Sequence, residues 1–292
     1  MRSVILTTHP SAGGLVNVEG TGGLVRLAVV VVVCAGLAAS FNRWGQLGHG
    51  RDDLLAALRA SVQLVVVGLL IAAVLGSWLL TLGFIVLMLS VASLTAGRRL
   101  SPRGQITKEL GATGAATRGL RSQESWWFAA APVVLGAVPV AGALMLSGLI
   151  PRQTIAVVPI VGILIGGAMT ATTLAGKRAL DALRSRHGEY EAALSIGLLP
   201  RDSALLIARE DASLALVPGL DQTRTVGLVT LPGAFVGMLL GGAEPLQAAA
   251  VQLVVLVALL LVQSIAVLVT VELVARGCFS AHRKHSSINQ RS

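Results

Sequence analysis

A short polar segment in the second half of the chain has a residue spacing that suits docking to another protein. Glu191, Ala192 and Ala193 are adjacent, three residues separate Ala193 from Gly197, and nine separate Gly197 from Ile207. Alanines give a helix a surface flat enough for close docking. A glutamate early in a helix is favoured by the dipole, and a glycine can adopt the left-handed conformation that ends it. The pattern predicts a short helix ending in a bend that contacts a partner, with an ordinary amphipathic surface helix as the alternative.

Two apolar stretches on either side of this segment combine glycines spaced four residues apart with one proline each. Such glycines allow close helix packing, and a proline kinks a helix, because it removes a backbone hydrogen bond. Kinked helices line polar paths in transporters, although Gly and Pro are also simply common in membrane helices. We expect Pro232 and Gly233 to form a flexible point. The candidate pathway or gating residues are Pro159, Gly162, Gly166, Gly167, Asp221, Thr225, Gly227, Pro232, Gly233 and Gly237.

Asp221 lies four residues before Thr225, at the expected cytoplasmic mouth of an apolar stretch. We expect it to cap a helix N-terminus, with contact to a substrate or partner as the alternative. The centres of the apolar stretches contain no ionisable residue, which argues against proton coupling and leaves the metal ligands unknown. The sequence also contains no phosphate-binding loop, no nucleophile elbow and no zinc-protease motif. We therefore expect no enzyme activity and no cofactor in this chain.

The composition indicates an all-α, multi-pass membrane protein. Hydrophobic residues make up 54% and charged residues 13% of the 292 residues, whereas charged residues make up about 25% of soluble proteins. Apolar stretches near 20 residues match the bilayer core. The expected organisation is a flexible leader (1–23), one permease domain (24–275) and a basic tail (276–292). The domain has about seven spans (24–41, 58–75, 79–96, 126–149, 154–176, 222–240 and 246–274) and a cytoplasmic coupling segment (177–221).

The positions of the basic residues predict the orientation. Of the 23 Lys and Arg residues, all but Arg2, Arg26 and Arg152 fall on one side of the expected spans. By the positive-inside rule this side is cytoplasmic, so the N-terminus lies outside and the C-terminus and the coupling segment lie inside. The net charge of +9 therefore reflects topology and not nucleic-acid binding. We expect a protein of the inner or plasma membrane surrounded by lipid.

Two blocks of sequence resemble the FetB-like iron-export permeases, a family that includes the aluminium-sensitivity permeases of plants. The blocks are VVPIVGILIGGAM (157–169) and PGLDQTRTVGLVTLPGAFVGMLLGGAEPLQAAAVQ (218–252), within a resemblance covering about 25–274. The segment at Glu191 similarly resembles the EAA–G signature of permeases in ATP-binding-cassette transporters. The resemblance implies a permease that exports metal ion, with iron first. It also implies a homodimer and a separate ATPase subunit that binds ATP and Mg.

Three departures from the family pattern bear on the solute and the partner. The signature usually continues Ile-x-Leu-Pro, whereas Ile207 is followed by Ala208, Arg209 and Glu210. Gly167 and Val251 stand where the family usually has Asn and Tyr, which removes polar groups from the expected path. The resemblance to the plant members of the family implies an alternative, a permease for another solute such as a nucleotide sugar. A passive carrier or membrane scaffold is a third possibility, and it would need no partner ATPase.

Overall fold

The computed structural model describes residues 20–46, 50–74, 76–100, 125–149 and 153–279, which are almost entirely helical. The expected leader up to residue 19, the loop at 101–124 and the tail from residue 280 lie outside the described residues. The chain divides into two compact units, residues 1–76 with 233–248, and residues 77–232 with 249–292. The helices are α1 (Gly20–Trp44), α2 (Gly50–Val74), α3 (Trp78–Leu100), α4 (Ser125–Leu146), α5 (Thr154–Ser185), α6 (His187–Ser195), α7 (Pro200–Ser213), α8 (Val217–Thr225), α9 (Gly233–Leu240) and α10 (Pro245–Ala275).

The first unit contains α1, α2, α9 and the first turn of α10. Helices α1 and α2 pack against each other. The side-chain amide of Asn42 near the end of α1 donates to the carboxylate of Asp53 in the first turn of α2. This polar contact lies next to the short connection between the two helices, where it fixes the end of one against the start of the other.

The second unit contains α3 to α8 and most of α10, packed around a core of small side chains. In a bilayer the hydrophobic effect does not drive helices together, because lipid tails are as apolar as the helices. Helix packing depends instead on close approach of the backbones, which small residues permit. A methyl group added at Gly136 of α4 would lie 3.0 Å from the carbonyl oxygen of Val262 in α10. Alanines that are almost wholly buried line these helix contacts: Ala96, Ala129, Ala137, Ala168, Ala175, Ala179, Ala208, Ala212 and Ala266.

Six described helices, α1 to α5 and α10, are long and apolar enough to cross a membrane. This confirms an all-α, multi-pass membrane protein. The stretch expected as one span over 222–240 is instead divided, because α8 ends at Thr225 and α9 begins at Gly233. Gly227 has a φ of +84° and turns the chain, and the carbonyl of Thr225 accepts the N–H groups of Leu228, Val229 and Thr230. These bonds close a tight turn where a continuous helix was expected.

Helix α5 continues well past the expected end of its span at residue 176. It runs unbroken through Pro159 to Ser185, and its 32 residues correspond to about 48 Å of helix. The physical reason lies in its last turns, where Ala175, Ala179 and Ala182 remain buried. Helix α7 packs along α5, so tertiary contact maintains the helix beyond the point where its sequence becomes polar.

Candidate functional site

The end of α5 and the start of α6 form a charged turn. Arg186 lies between the two helices, and its guanidinium donates two hydrogen bonds to Glu189, from Nε (2.9 Å) and from Nη2 (2.7 Å). These bonds lower the pKa of Glu189 and raise that of Arg186. Glu189 occupies the first turn of α6, the position that we expected for Glu191. Glu191 is the fifth residue of this nine-residue helix, so the expected dipole role belongs to Glu189.

Gly197 ends the turn after α6 in the left-handed conformation, as the sequence predicts. Its φ is +92°, its N–H donates to the carbonyl of Leu194 (3.0 Å), and that of Leu198 donates to the carbonyl of Ala193 (3.2 Å). This pair of bonds is a Schellman motif, in which glycine avoids the steric cost of a side chain at positive φ. Pro200 then begins α7. Helices α6 and α7 with their connection are called the α6–α7 hairpin below.

The five residues of the docking motif divide between the core and the surface. Ala193 is buried and Ile207 is only 1% exposed, so both contribute to packing within the chain. Glu191 and Ala192 are exposed, with the carboxylate of Glu191 3.4 Å from Nδ1 of His187. The connection between the helices adds two apolar side chains that the motif does not include, Ile196 (80% exposed) and Leu199 (66% exposed). We call Ile196 and Leu199 the hairpin tip.

Ion pairs fasten α7 to the end of α10. The guanidinium of Arg201 donates to both oxygens of Glu272 at 2.7 Å, and Nε of Arg276 donates to the same carboxylate at 2.7 Å. The bond to Glu272 raises the pKa of Arg201. Beside this contact, α7 and Leu198 line an open groove of about 570 Å³, with Arg201, Asp202 and Arg209 among its polar residues.

Asp221 does not cap a helix, because it is the fifth residue of α8 and Val217 and Pro218 precede it within the helix. Its backbone carbonyl accepts a hydrogen bond from the hydroxyl of Thr225 (2.8 Å), and its carboxylate lies 3.8 Å from the guanidinium of Arg224. Both charged side chains are largely exposed, at 61% for Asp221 and 73% for Arg224.

The turn that follows α8 is apolar and projects outward. Leu228, Val229 and Leu231 are exposed, whereas Gly227 supplies the reversal of the chain. The hydroxyl groups of Thr225 and Thr230 come within 3.5 Å of each other across this turn. Pro232 immediately precedes α9, and a methyl group at Gly233 or Gly237 would meet no atom of the first unit within 4 Å. These glycines therefore make no close packing contact there.

The three glycines of α5 that we predicted as pathway residues differ in their contacts within the second unit. A methyl group at Gly162 would lie 2.9 Å from the terminal carbon of Met88, the end of a flexible side chain and not a backbone atom. One added at Gly166 would meet nothing within 4 Å among the described residues, whereas one at Gly167 would overlap Leu259 and lie 3.7 Å from Nε2 of Gln263. Of these three glycines, Gly167 is therefore the one against which α10 packs most closely.

The interior of the second unit contains polar atoms that have no hydrogen-bond partner among the described residues. They are the hydroxyls of Thr172 and Ser203 and the amide oxygens of Gln252 and Gln263. Gln263 packs directly on Gly219 of α8, where an added methyl group would overlap its Oε1 atom. The sequence analysis does not identify Gly219, because one glycine in a polar segment carries no spacing signal. The described residues contain no group of three His, Cys, Asp or Glu that could hold a metal ion.

Comparison with known proteins assigns the family. The model of the uncharacterised protein family UPF0014 matches residues 24–279. The chain is 30% identical to the rice "UPF0014 membrane protein STAR2" over 259 residues, which is 87% of this chain and 82% of that protein. It is 30% identical to "Protein ALUMINUM SENSITIVE 3" of Arabidopsis thaliana over 241 residues, or 80% and 79% of the two chains.

A bacterial relative matches part of the chain. The chain is 30% identical over 152 residues to the "Probable iron export permease protein FetB" of Escherichia coli (strain K12), covering 52% of this chain and 56% of that protein. No solved structure matches the chain at a significant level. The family match and the apolar helices agree with the expected resemblance and with a membrane location. The chain therefore belongs to the UPF0014 family, which includes FetB-like permeases, and is a multi-pass membrane protein.

Proposed function

We propose that this chain is the membrane-spanning permease subunit of an ATP-binding-cassette transporter that exports metal ion, with iron as the first candidate. The name of the Escherichia coli relative supports the direction and the solute. Two copies of the chain form the path, and two copies of a separate subunit bind ATP and Mg and supply the energy.

The observation that carries the proposal is the exposed hairpin tip. Ile196 and Leu199 are exposed in the connection that follows Glu191 and Ala192, where two backbone hydrogen bonds close the turn. Exposed apolar surface rimmed by polar residues is typical of a site that contacts another protein or a membrane. The distribution of basic residues favours a cytoplasmic position for this segment, where an ATPase operates. The tip and the exposed half of the motif together form the surface that the ATPase contacts.

The contacts of α7 offer a route from this surface to the spans. A displacement of the hairpin tip moves α7, and the bonds between Arg201 and Glu272 carry the force to α10. Helix α8 follows α7 through the single 3-10 turn Leu214–Leu216. The junction at Pro232 and Gly233 is the flexible point where α9 can respond. Alternating access follows if these elements move together on ATP binding.

Transport into inside-out membrane vesicles tests the proposal. Vesicles containing the chain and its ATPase should accumulate ferrous iron only when ATP is present. The double variant Ile196→Asp/Leu199→Asp should abolish accumulation, because charged side chains cannot occupy an apolar contact without a large desolvation cost. Its control is Asp181→Ala, which changes an exposed residue of the same polar segment and should leave accumulation unchanged.

Each other outcome identifies a different function. Accumulation without ATP would support a passive carrier and contradict the ATPase partner. Absence of iron accumulation, together with ATP hydrolysis stimulated by another solute, would keep the transporter class and replace the substrate. Full activity of the tip variant would contradict the docking surface.

A further inference from the structure

The position of Gln263 along α10 places its amide near the middle of the membrane. Glu272 is the only charged residue of α10. It lies near the cytoplasmic end of the helix, where it bonds to Arg201 and Arg276. Gln263 lies nine residues before Glu272, which in a helix corresponds to about 14 Å. Since the hydrocarbon core is about 30 Å thick, this amide lies close to half-way across it.

Helix α5 gives the same depth independently. Its last long apolar stretch ends at Lys177, and Gly167 lies ten residues earlier, or about 15 Å along the helix. Gly167 meets the side chains of Leu259 and Gln263. The distance from Glu272 along α10 and the distance from Lys177 along α5 therefore both place this contact near the middle of the bilayer.

Helix α8 reaches the same level, although its first five residues belong to the coupling segment expected in the cytoplasm (177–221) and only the rest to the expected span over 222–240. Gly219 is buried, and a methyl group there would overlap the end of the Gln263 side chain. The apolar turn directly after α8 exposes Leu228, Val229 and Leu231, side chains that transfer favourably from water to an apolar environment. Both observations place α8 inside the membrane.

Asp221 and Arg224 are then charged residues at a depth where charge is costly. They follow Gly219 by two and five residues on a nine-residue helix, and both side chains are largely exposed. Charged residues inside membranes face a bundle interior or a water-filled cavity, because hydrocarbon does not solvate them. Non-helical backbone at this depth, such as the turn after Thr225, is also confined to such cavities or to protein interiors.

We propose that the contact between Gly219 and Gln263 holds α8 inside the membrane, and that Asp221 and Arg224 line a water-filled path for a polar solute. Gln263 is a positioning residue, and the carboxylate of Asp221 with the hydroxyls of Thr225 and Thr230 forms the polar wall. The solute role rests on the function proposed above, whereas the placement of α8 does not.

Cysteine chemistry on the full-length chain tests both parts of the proposal. The background is Cys34→Ser/Cys278→Ala, which removes both native cysteines. In membranes treated with a mild oxidant, the pair Gly219→Cys/Gln263→Cys should form a disulfide. The control pair Gly219→Cys/Gln252→Cys should form none, because Gln252 lies three turns away along α10.

The second measurement detects water. A charged, membrane-impermeant thiosulfonate is applied to vesicles of both orientations, with Asp221→Cys or Arg224→Cys as the only cysteine. These variants should react at least about 100-fold faster than Leu261→Cys, since charge does not reach a lipid-facing position. Leu261 is an exposed residue of α10 two positions from Gln263, which makes it the control for depth.

Absence of the disulfide between positions 219 and 263 would overturn the placement of α8. A reaction at Asp221→Cys no faster than at Leu261→Cys would overturn the water-filled path. Neither measurement needs the ATPase. A chain that meets both expectations but never binds an ATPase would therefore contradict the proposed function and leave this inference intact.

Discussion

Helices α7 and α8 are neighbours along the chain, and both contact α10, but the two contacts differ in kind. Arg201 of α7 meets Glu272 through two short ionic hydrogen bonds that remain partly exposed to water. Gly219 of α8 meets Gln263 through shape alone, and Oε1 of Gln263 accepts no hydrogen bond from a described residue. The ionic contact joins α7 to α10 through two directional bonds, whereas the buried contact depends on a close fit. Movement of the hairpin is thus passed to α10, the helix on which α8 is seated.

The largest expected effect comes from disturbing the fit of α8. Gly219→Val should lower stability by about 1–3 kcal/mol, because the end of the Gln263 side chain must shift and overpacking of a close contact typically costs that much. Thermal unfolding in detergent measures the loss. Gln263→Ala in the same chain should restore part of it, because it removes the side chain that the valine meets.

A matched control separates steric overlap from the change in helix propensity. Gly188→Val alters a helical glycine of α6 where a side chain would meet no described atom within 4 Å. It should change stability by less than about 1 kcal/mol. Equal losses for Gly188→Val and Gly219→Val would show that the buried contact is not what holds α8.

The next effect concerns the turn of the hairpin. Gly197→Ala should lower stability by about 1 kcal/mol, because a side chain at a φ of +92° is strained. Gly188→Ala should raise it, since alanine is the better helix former. The two melting temperatures should move in opposite directions, and a rise for Gly197→Ala would contradict the left-handed turn.

A smaller effect is expected for the ionic contact. Arg201→Gln should lower the melting temperature at low salt and lower it less at high salt, because the pair is partly exposed and screened. Arg209→Gln is the control on the same helix, since Arg209 makes no ion pair with a described residue. A loss that does not depend on salt would indicate packing by the Arg201 side chain in place of charge.

The smallest effect is the pH dependence of the turn before α6. Arg186 lowers the pKa of Glu189 in the folded chain, so this pair stabilises the fold above the pKa that Glu189 has when unfolded. That contribution is lost as the pH falls through the lower, folded pKa. Unfolding curves of the parent chain and of Glu189→Gln should therefore converge on acidification. A constant separation between them would contradict the pairing.

The hairpin could be predicted because its signals are local. Gly197 follows a short alanine-containing helix at the distance where a helix ends, and Pro200 begins the next helix. Which alanine faces the core could not be read from sequence, because that depends on how α6 and α7 pack. The packing of α6 and α7 buries Ala193 and Ile207, although both belong to the docking motif. The exposed surface comes instead from Ile196 and Leu199, which are not part of the motif.

The segment around α8 could not be predicted in the same way. Hydropathy over 222–240 suits a continuous span, and the turn at Gly227 depends on three amide groups that meet the carbonyl of Thr225. Gly219 packs on Gln263, which lies 44 positions later in the sequence. A periodic sequence pattern does not predict a contact between residues so far apart. Composition predicts the membrane class and the long helices, whereas tertiary packing determines where the polar segment enters the membrane.

Purification of the tagged chain from its native membrane in mild detergent, with quantitative mass spectrometry of the bound proteins, tests the central claim most directly. A subunit with an ATP-binding cassette should be recovered in a 1:1 ratio with the chain, as expected for two copies of each, and Ile196→Asp/Leu199→Asp should lose it. Recovery of the chain without such a subunit, even after cross-linking in intact membranes, would contradict the assignment as a transporter permease.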